Sequence, residues 1–150
     1  MNIKQEYIDI LHKIEDVCVE FDTTKSSNLM KIVKMSSLKD KFNCIDFWDN
    51  FKPNVDKPYS ILNTDKESDI GNGIHWVGCF QDGKTIYLYD SFGRKNIMNR
   101  FCEEMSEIGY KCIYTNKKGD QGNMQINCGL RSLLWLLFVE KYGIEQASKI

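Results

Sequence analysis

The chain has 150 residues, 42% of them hydrophobic and 27% charged, with a formal net charge of −1. That length suits one domain with a real core, and the composition is globular rather than disordered. A charge so near zero leaves no global field to draw the protein onto nucleic acid or an anionic membrane, and the small basic groups Arg94-Lys95 and Lys117-Lys118 read as solvated loops.

In chain order, Ile3, Tyr7, Ile10, Leu11, Ile14, Val17, Cys18 and Phe21 recur at helical spacing among acids and lysines. They predict an amphipathic helix over residues 3–21, with His12 on its solvated side. Serines and an asparagine ahead of the apolar stripe in "SSNLMKIVKM" predict a capped helix over 26–35. The aromatic-rich "FNCIDFWDNFKPN" reads as a short helix or turn on the core, so that residues 1–58 form a helical N-terminal part.

From residue 59 the period shortens. Segments 59–64, 73–80 and 84–90 are β-branched and aromatic, bounded by Gly, Asp and Asn, and read as strands. "QDG" at 81–83 joins the last two as an antiparallel hairpin. Ile97, Phe101, Met105 and Ile108 share one face of a helix that stops at Gly109, and 110–115 is a further strand. Residues 128–142 predict a very apolar, mostly buried helix ending near Gly143. The sum is an α+β domain around a central sheet.

No apolar run near the N-terminus escapes interruption by acids or lysines, so no secretion signal is expected. Residues 133–139, the longest apolar stretch, are too few to cross a bilayer. Six cysteines (18, 44, 79, 102, 112 and 128) are an even number, but without CxxC spacing or an export signal they read as reduced, mostly buried thiols. A zinc knuckle is not expected.

The chemistry gathers elsewhere. His75 lies in a strand and, taken alone, is a half-buried imidazole satisfied by a backbone group. Asp90 closes the adjoining hairpin strand, where it either starts the Asp-Ser-Phe-Gly turn or orients a histidine base. Cys128 opens the apolar helix, where the dipole and unpaired N–H groups favour a thiolate. Its own N–H can face an oxyanion, with Gly129 keeping the approach open. Gln121 can add a side-chain N–H donor, an interaction worth about 2.7–4 kcal/mol in acyl transfer.

In this order, "ILNT", "GIHW", "DSFG", "QG" and "NCGL" resemble the adenain-like cysteine proteases, a group related to the SUMO-cleaving enzymes. The likeness is to the maturation proteases of adenoviruses, virophages and Polinton-type elements, and it spans residues 59–138. It implies a single protease domain over 1–150, with a papain-like (adenain-like) fold, a mixed central sheet flanked by helices, and a catalytic core at 59–142. His75 would be the base, Asp90 its orienter, Cys128 the nucleophile and Gln121 the oxyanion donor, chosen over Gln125 for its Gln-Gly wording. Trp76 and Gly129 would bind substrate at a narrow groove that admits glycine-rich sequence.

The implied activity is processing of viral capsid precursor proteins at glycine-containing sites, in the virion and the host cytoplasm, without a membrane partner. No metal or organic cofactor is required. An activating peptide, disulfide-linked through Cys112, is a further implication of the resemblance, weighed against simple burial of that cysteine. DNA as an activator is weighed against the near-zero net charge. Two rivals stand beside this reading. One is a protease for ubiquitin-like modifiers, for whose broad docking surface the chain has little length to spare. The other is a binding protein of the same fold without turnover, against which the intact His75, Asp90, Gln121 and Cys128 argue.

Overall fold

The computed structural model describes residues 2–17, 25–65, 75–94, 97–116 and 128–150. Helix α1 (Ile3–Val17) buries Ile3, Tyr7 and Leu11, four residues apart, which is the stripe that the sequence spacing predicts. Cys18 and Phe21 lie outside the described residues. Helix α2 (Ser26–Lys34) buries Leu29 and Val33. Its N-cap is Lys25, which makes no side-chain capping bond, so the serines stand inside the first turn rather than at the cap.

The segment read as a helix or turn is instead a strand, β1 (Phe42–Phe47), followed by a short 3-10 helix at Trp48–Asn50. Pairing overrides composition here. Phe42 and residues 44–47 form a parallel ladder with β2 (Tyr59–Asn63), with an irregularity between Phe42 and Cys44 that blurs the alternation in sequence. The strand ends where Asp46 Oδ1 accepts Phe47 N–H at 2.7 Å and Asn50 Nδ2 at 3.0 Å. Residues 1–58 are therefore not wholly helical.

Strands β3 (Trp76–Asp82), β4 (Thr85–Tyr89) and β5 (Lys111–Tyr114) complete a five-stranded sheet in the order β1-β2-β3-β4-β5. The outer pairs are parallel and the inner pairs antiparallel, so the protein is α+β with a mixed sheet. Asp82 pairs with Thr85, which puts the hairpin turn at Gly83-Lys84, one step beyond "QDG", with Gly83 at φ +60.

Side chains alternate across the sheet with period two. Ile61, Trp76 and Tyr89 face a core shared with α1, α2 and α4 (Cys128–Tyr142). Leu62, Val77, Cys79, Ile86 and Leu88 face the opposite way, against Trp48, Phe51 and helix α3 (Asn99–Glu107). Both faces are covered, which explains why these strands read as nearly continuous apolar runs. Ile108, expected on the buried face of α3, is 55% exposed. It is the C-cap residue, beyond the last turn, and Gly109 at φ +93 reverses the chain behind it.

Helix α4 lies directly on β3. A Cβ at Gly78 would sit 3.0 Å from Trp135 Cε3 and 3.4 Å from the Ser132 carbonyl oxygen, so glycine permits the close crossing. Gly143 at φ +87 ends α4, and a further helix, α5 (Ile144–Ala147), folds back so that Trp135 Nε1 donates to Ala147 O at 3.2 Å. One apolar cluster runs from Ile3 to Ile150. Among the described residues, no helix is long and apolar enough to cross a membrane.

Candidate active site

Three element ends meet at one end of the central strands of the sheet. His75 precedes β3, and its carbonyl accepts the Thr64 N–H at 3.0 Å, which extends the β2–β3 ladder past Asn63. Antiparallel β4 finishes at the same end of the sheet and delivers Asp90 one residue beyond its last residue, Tyr89. Helix α4 begins there with Cys128.

Asp90 is 1% exposed, and both of its carboxylate oxygens are bonded. Oδ1 lies 2.5 Å from His75 Nε2 and accepts Phe92 N–H at 3.1 Å. Oδ2 accepts Arg94 N–H at 3.0 Å and Arg94 Nε at 3.4 Å. Gly93 N–H closes the turn on Asp90 O at 2.8 Å. Asp90 thus both starts the Asp-Ser-Phe-Gly turn and bonds the imidazole, and the two sequence readings of it coexist. The turn also wraps the histidine: the Phe92 ring lies 4.9 Å from the imidazole, with the Arg94 guanidinium 4.8 Å from the Phe92 ring.

With Nε2 on Asp90, the imidazole has Nδ1 for its hydrogen bond to the Cys128 side chain. The sulfur also accepts Trp76 N–H at 3.4 Å and the Gly129 N–H. One turn along α4, Ser132 Oγ donates to Trp76 O at 3.1 Å. Both backbone groups of Trp76 are therefore tied to α4, which sets the height of the sulfur above the strand.

The electrostatics follow from these contacts. Burial opposes charge on His75, but the hydrogen bonds to Asp90 and Cys128, with their negative charge, outweigh it and raise the pKa. Burial likewise pushes the Cys128 thiol up, yet His75 and the N–H groups of Trp76 and Gly129 bring it below the ordinary thiol value. Burial also pushes the Asp90 carboxyl up, yet His75 and the Arg94 and Phe92 N–H groups bring it below the ordinary carboxylate value. Together they favour a thiolate–imidazolium pair backed by a carboxylate, which suits nucleophilic attack with general acid–base help.

Burial raises the Cys44 and Cys79 thiols. Cys112, half-buried on β5, shares a hydrogen bond with Cys102 on α3, which raises Cys112 and lowers Cys102. Cys102 is thus a second thiol of lowered pKa, with Cys112 and Tyr114 as its bonding partners rather than a histidine.

Of the residues singled out in the sequence, His75, Asp90 and Cys128 come together, with Trp76 and Gly129 bonding the sulfur through their backbones. The Trp76 side chain is 5% exposed and belongs to the core cluster. His12 is exposed. Gln121 and Gln125 lie outside the described residues. Ser132, Phe92 and Arg94 were not anticipated. Ser132 could have been found, since it lies four residues after Cys128 on the same helix face. Among the described residues, no group of three or more His, Cys, Asp or Glu could hold a metal ion.

No protein-family model matches the chain, and no curated protein matches it either.

Proposed function

We propose that the protein is a cysteine endopeptidase of the adenain-like kind, with Cys128 as nucleophile, His75 as general acid and base, and Asp90 as the group that holds the imidazole. The observation that carries this reading is the unbroken hydrogen-bonded chain from Cys128 through His75 to Asp90. A helix that opens on the nucleophile, laid on a sheet whose hairpin carries the base and its carboxylate, supports a papain-like fold.

In this mechanism the Cys128 thiolate attacks the scissile carbonyl carbon. The developing oxyanion is stabilised by the Cys128 N–H at the start of α4 and by the Gln121 side chain. The His75 imidazolium gives its proton to the leaving amine as the C–N bond breaks, which leaves a thioester on Cys128. Neutral His75 then takes a proton from water, and the hydroxide attacks the thioester and displaces the Cys128 thiolate, which releases the carboxylic acid and restores the thiolate–imidazolium pair. Asp90 stays ionised throughout and fixes the imidazole tautomer. The substrate class, viral capsid precursors cut at glycine-containing sites, comes from the resemblance of "GIHW", "DSFG" and "NCGL".

Peptides with glycine beside the cleaved bond, and C-terminal reporters of SUMO and ubiquitin, test the reading side by side. Cleavage of the glycine peptides is expected, with kcat/KM reduced on the order of 10³-fold or more in Cys128→Ser and in His75→Ala. Turnover of the modifier reporters alone would transfer the protein to the ubiquitin-like modifier proteases. Absence of turnover, with a Cys128→Ala protein that keeps its biological effect, would make it a binding protein.

A further inference from the structure

The bonds that shape the turn at Asp90 are mostly internal to it. Phe92 N–H, Gly93 N–H and both Arg94 donors lie within four residues, so they set the form of the turn but not its place against the sheet. On one side Tyr89 pairs with Gly78 of β3, and on the other the ladder with β5 reaches the turn itself. The parallel ladder between β4 and β5 runs from Thr85 and Lys111 to Leu88 and Tyr114. Thr115 extends it, donating to Leu88 O from its N–H at 2.9 Å and from its hydroxyl at 3.2 Å. One step on, a side chain takes over from the backbone. Asn116 Oδ1 accepts the Asp90 N–H at 3.3 Å, and Asn116 Nδ2 donates to Asp90 O. A carboxamide carries one acceptor and one donor side by side, which matches the two backbone groups of a single residue.

We propose that Asn116 is a positioning residue, whose carboxamide clamps the backbone of Asp90 to the edge strand and thereby aims the carboxylate at His75. This inference rests on the reading of Cys128, His75 and Asp90 as the catalytic group. It makes β5 part of the active-site scaffold, although β5 itself contributes no reacting atom. A displacement of about 1 Å in such a group can cost on the order of 10²-fold in rate.

The test reads the Cys128–His75 pair without needing a substrate. Among the described residues, Asp90 after β4 bonds His75 directly, Arg94 bonds the other carboxylate oxygen of Asp90, and α4 carries the buried Arg131 three residues after Cys128. The rate of Cys128 alkylation by iodoacetamide, followed by mass across pH, reports the thiolate. Wild type is expected to show an alkylation midpoint below the ordinary thiol value. In Asn116→Ala, a misaimed carboxylate supports the imidazolium less, so the alkylation midpoint moves up and the rate at mildly acidic pH falls about tenfold, one pKa unit. Thr115→Ala removes a neighbouring hydrogen bond without touching Asp90, and its midpoint should stay where the wild type's is. If Asn116→Ala does not fold, Asn116→Ser keeps one hydroxyl and should move the midpoint the same way by less. An unmoved midpoint in a folded Asn116 variant overturns the inference and leaves the catalytic reading intact. A wild type whose Cys128 titrates as an ordinary thiol overturns the catalytic reading, and this inference with it.

Discussion

Burial alone would hold His75 neutral and Cys128 as a thiol, because charging either group away from water is costly. Each instead supports the charge of the other, and Asp90 supports the imidazolium from behind. Each group shifts the other, so on the proposed mechanism the rate should rise through the lowered thiol value and fall through the raised imidazole value. Asp90→Asn removes the charge and half of the acceptor capacity. We expect kcat/KM to drop on the order of 10²–10⁴-fold and the alkaline limb of the pH profile to move toward lower pH; a profile with both limbs unmoved would contradict this. The same carboxylate contributes to stability. Its native pKa lies below the unfolded one, so its contribution is complete above about 3.9, the ordinary value, and is lost as pH falls through the lowered native value. Urea midpoints against pH should therefore fall more steeply at acid pH for wild type than for Asp90→Asn. At this scale the sequence was legible where side chain meets side chain, as His75, Asp90 and Cys128 do. It was silent on Asn116, whose partners are backbone groups of Asp90 that no side-chain pattern encodes, whereas Ser132 bonds a backbone group of Trp76 and only its spacing from Cys128 marks it.

Elements hold the site through one close crossing. Helix α4 meets β3 with Trp135 against Gly78, and the Ser132 and Cys128 bonds to Trp76 lie one turn apart along that contact. Gly78→Val would force branched carbons into Trp135, an overpacking that costs about 1–3 kcal/mol. The thermal midpoint should drop, and on the proposed reading activity with it, since the helix that carries Cys128 must move; an unchanged midpoint would show the crossing to be loose. Most elements could be read from their period or apolar content, including α4, where a polar stretch of sequence gives way to a largely apolar segment at Cys128 that ends before Gly143. The segment at β1 could not. Its strand character comes from a parallel ladder with β2, a tertiary contact, and the irregularity after Phe42 removes the simple alternation. Likewise Ile108 fits the apolar spacing of α3, but the helix ends one residue too soon to bury it.

Across the whole molecule, the N-terminal part completes the core rather than standing apart from it. Tyr7 is fully buried, its hydroxyl 3.0 Å from that of Tyr89 and donating to Arg131 O at 3.1 Å, while its ring packs edge-on to Phe138. At the other end of the chain, Tyr142 donates to Glu6 at 2.6 Å. Helix α1 therefore braces the outer side of α4. Tyr7→Phe should cost about 1–3 kcal/mol in denaturant unfolding while changing kcat/KM little, because neither Tyr89 Oη nor Arg131 O belongs to the site. A variant of unchanged stability would contradict that bracing role. From sequence, α1 was visible as an amphipathic helix, but periodicity gives a face and not the surface it meets, so its partner in α4 had to come from the fold.

The central claim is that Cys128 is an activated nucleophile made so by His75. Intact-protein mass spectrometry after exposure to a thiol-directed peptide electrophile ending in Gly-Gly tests it most directly, on wild type, Cys128→Ser and His75→Ala. A fast first adduct is predicted on Cys128, absent in Cys128→Ser and strongly slowed in His75→Ala, with Cys102 modified more slowly and indifferent to His75. Adducts that spread over several cysteines at similar rates, unaffected by the loss of His75, would contradict the account.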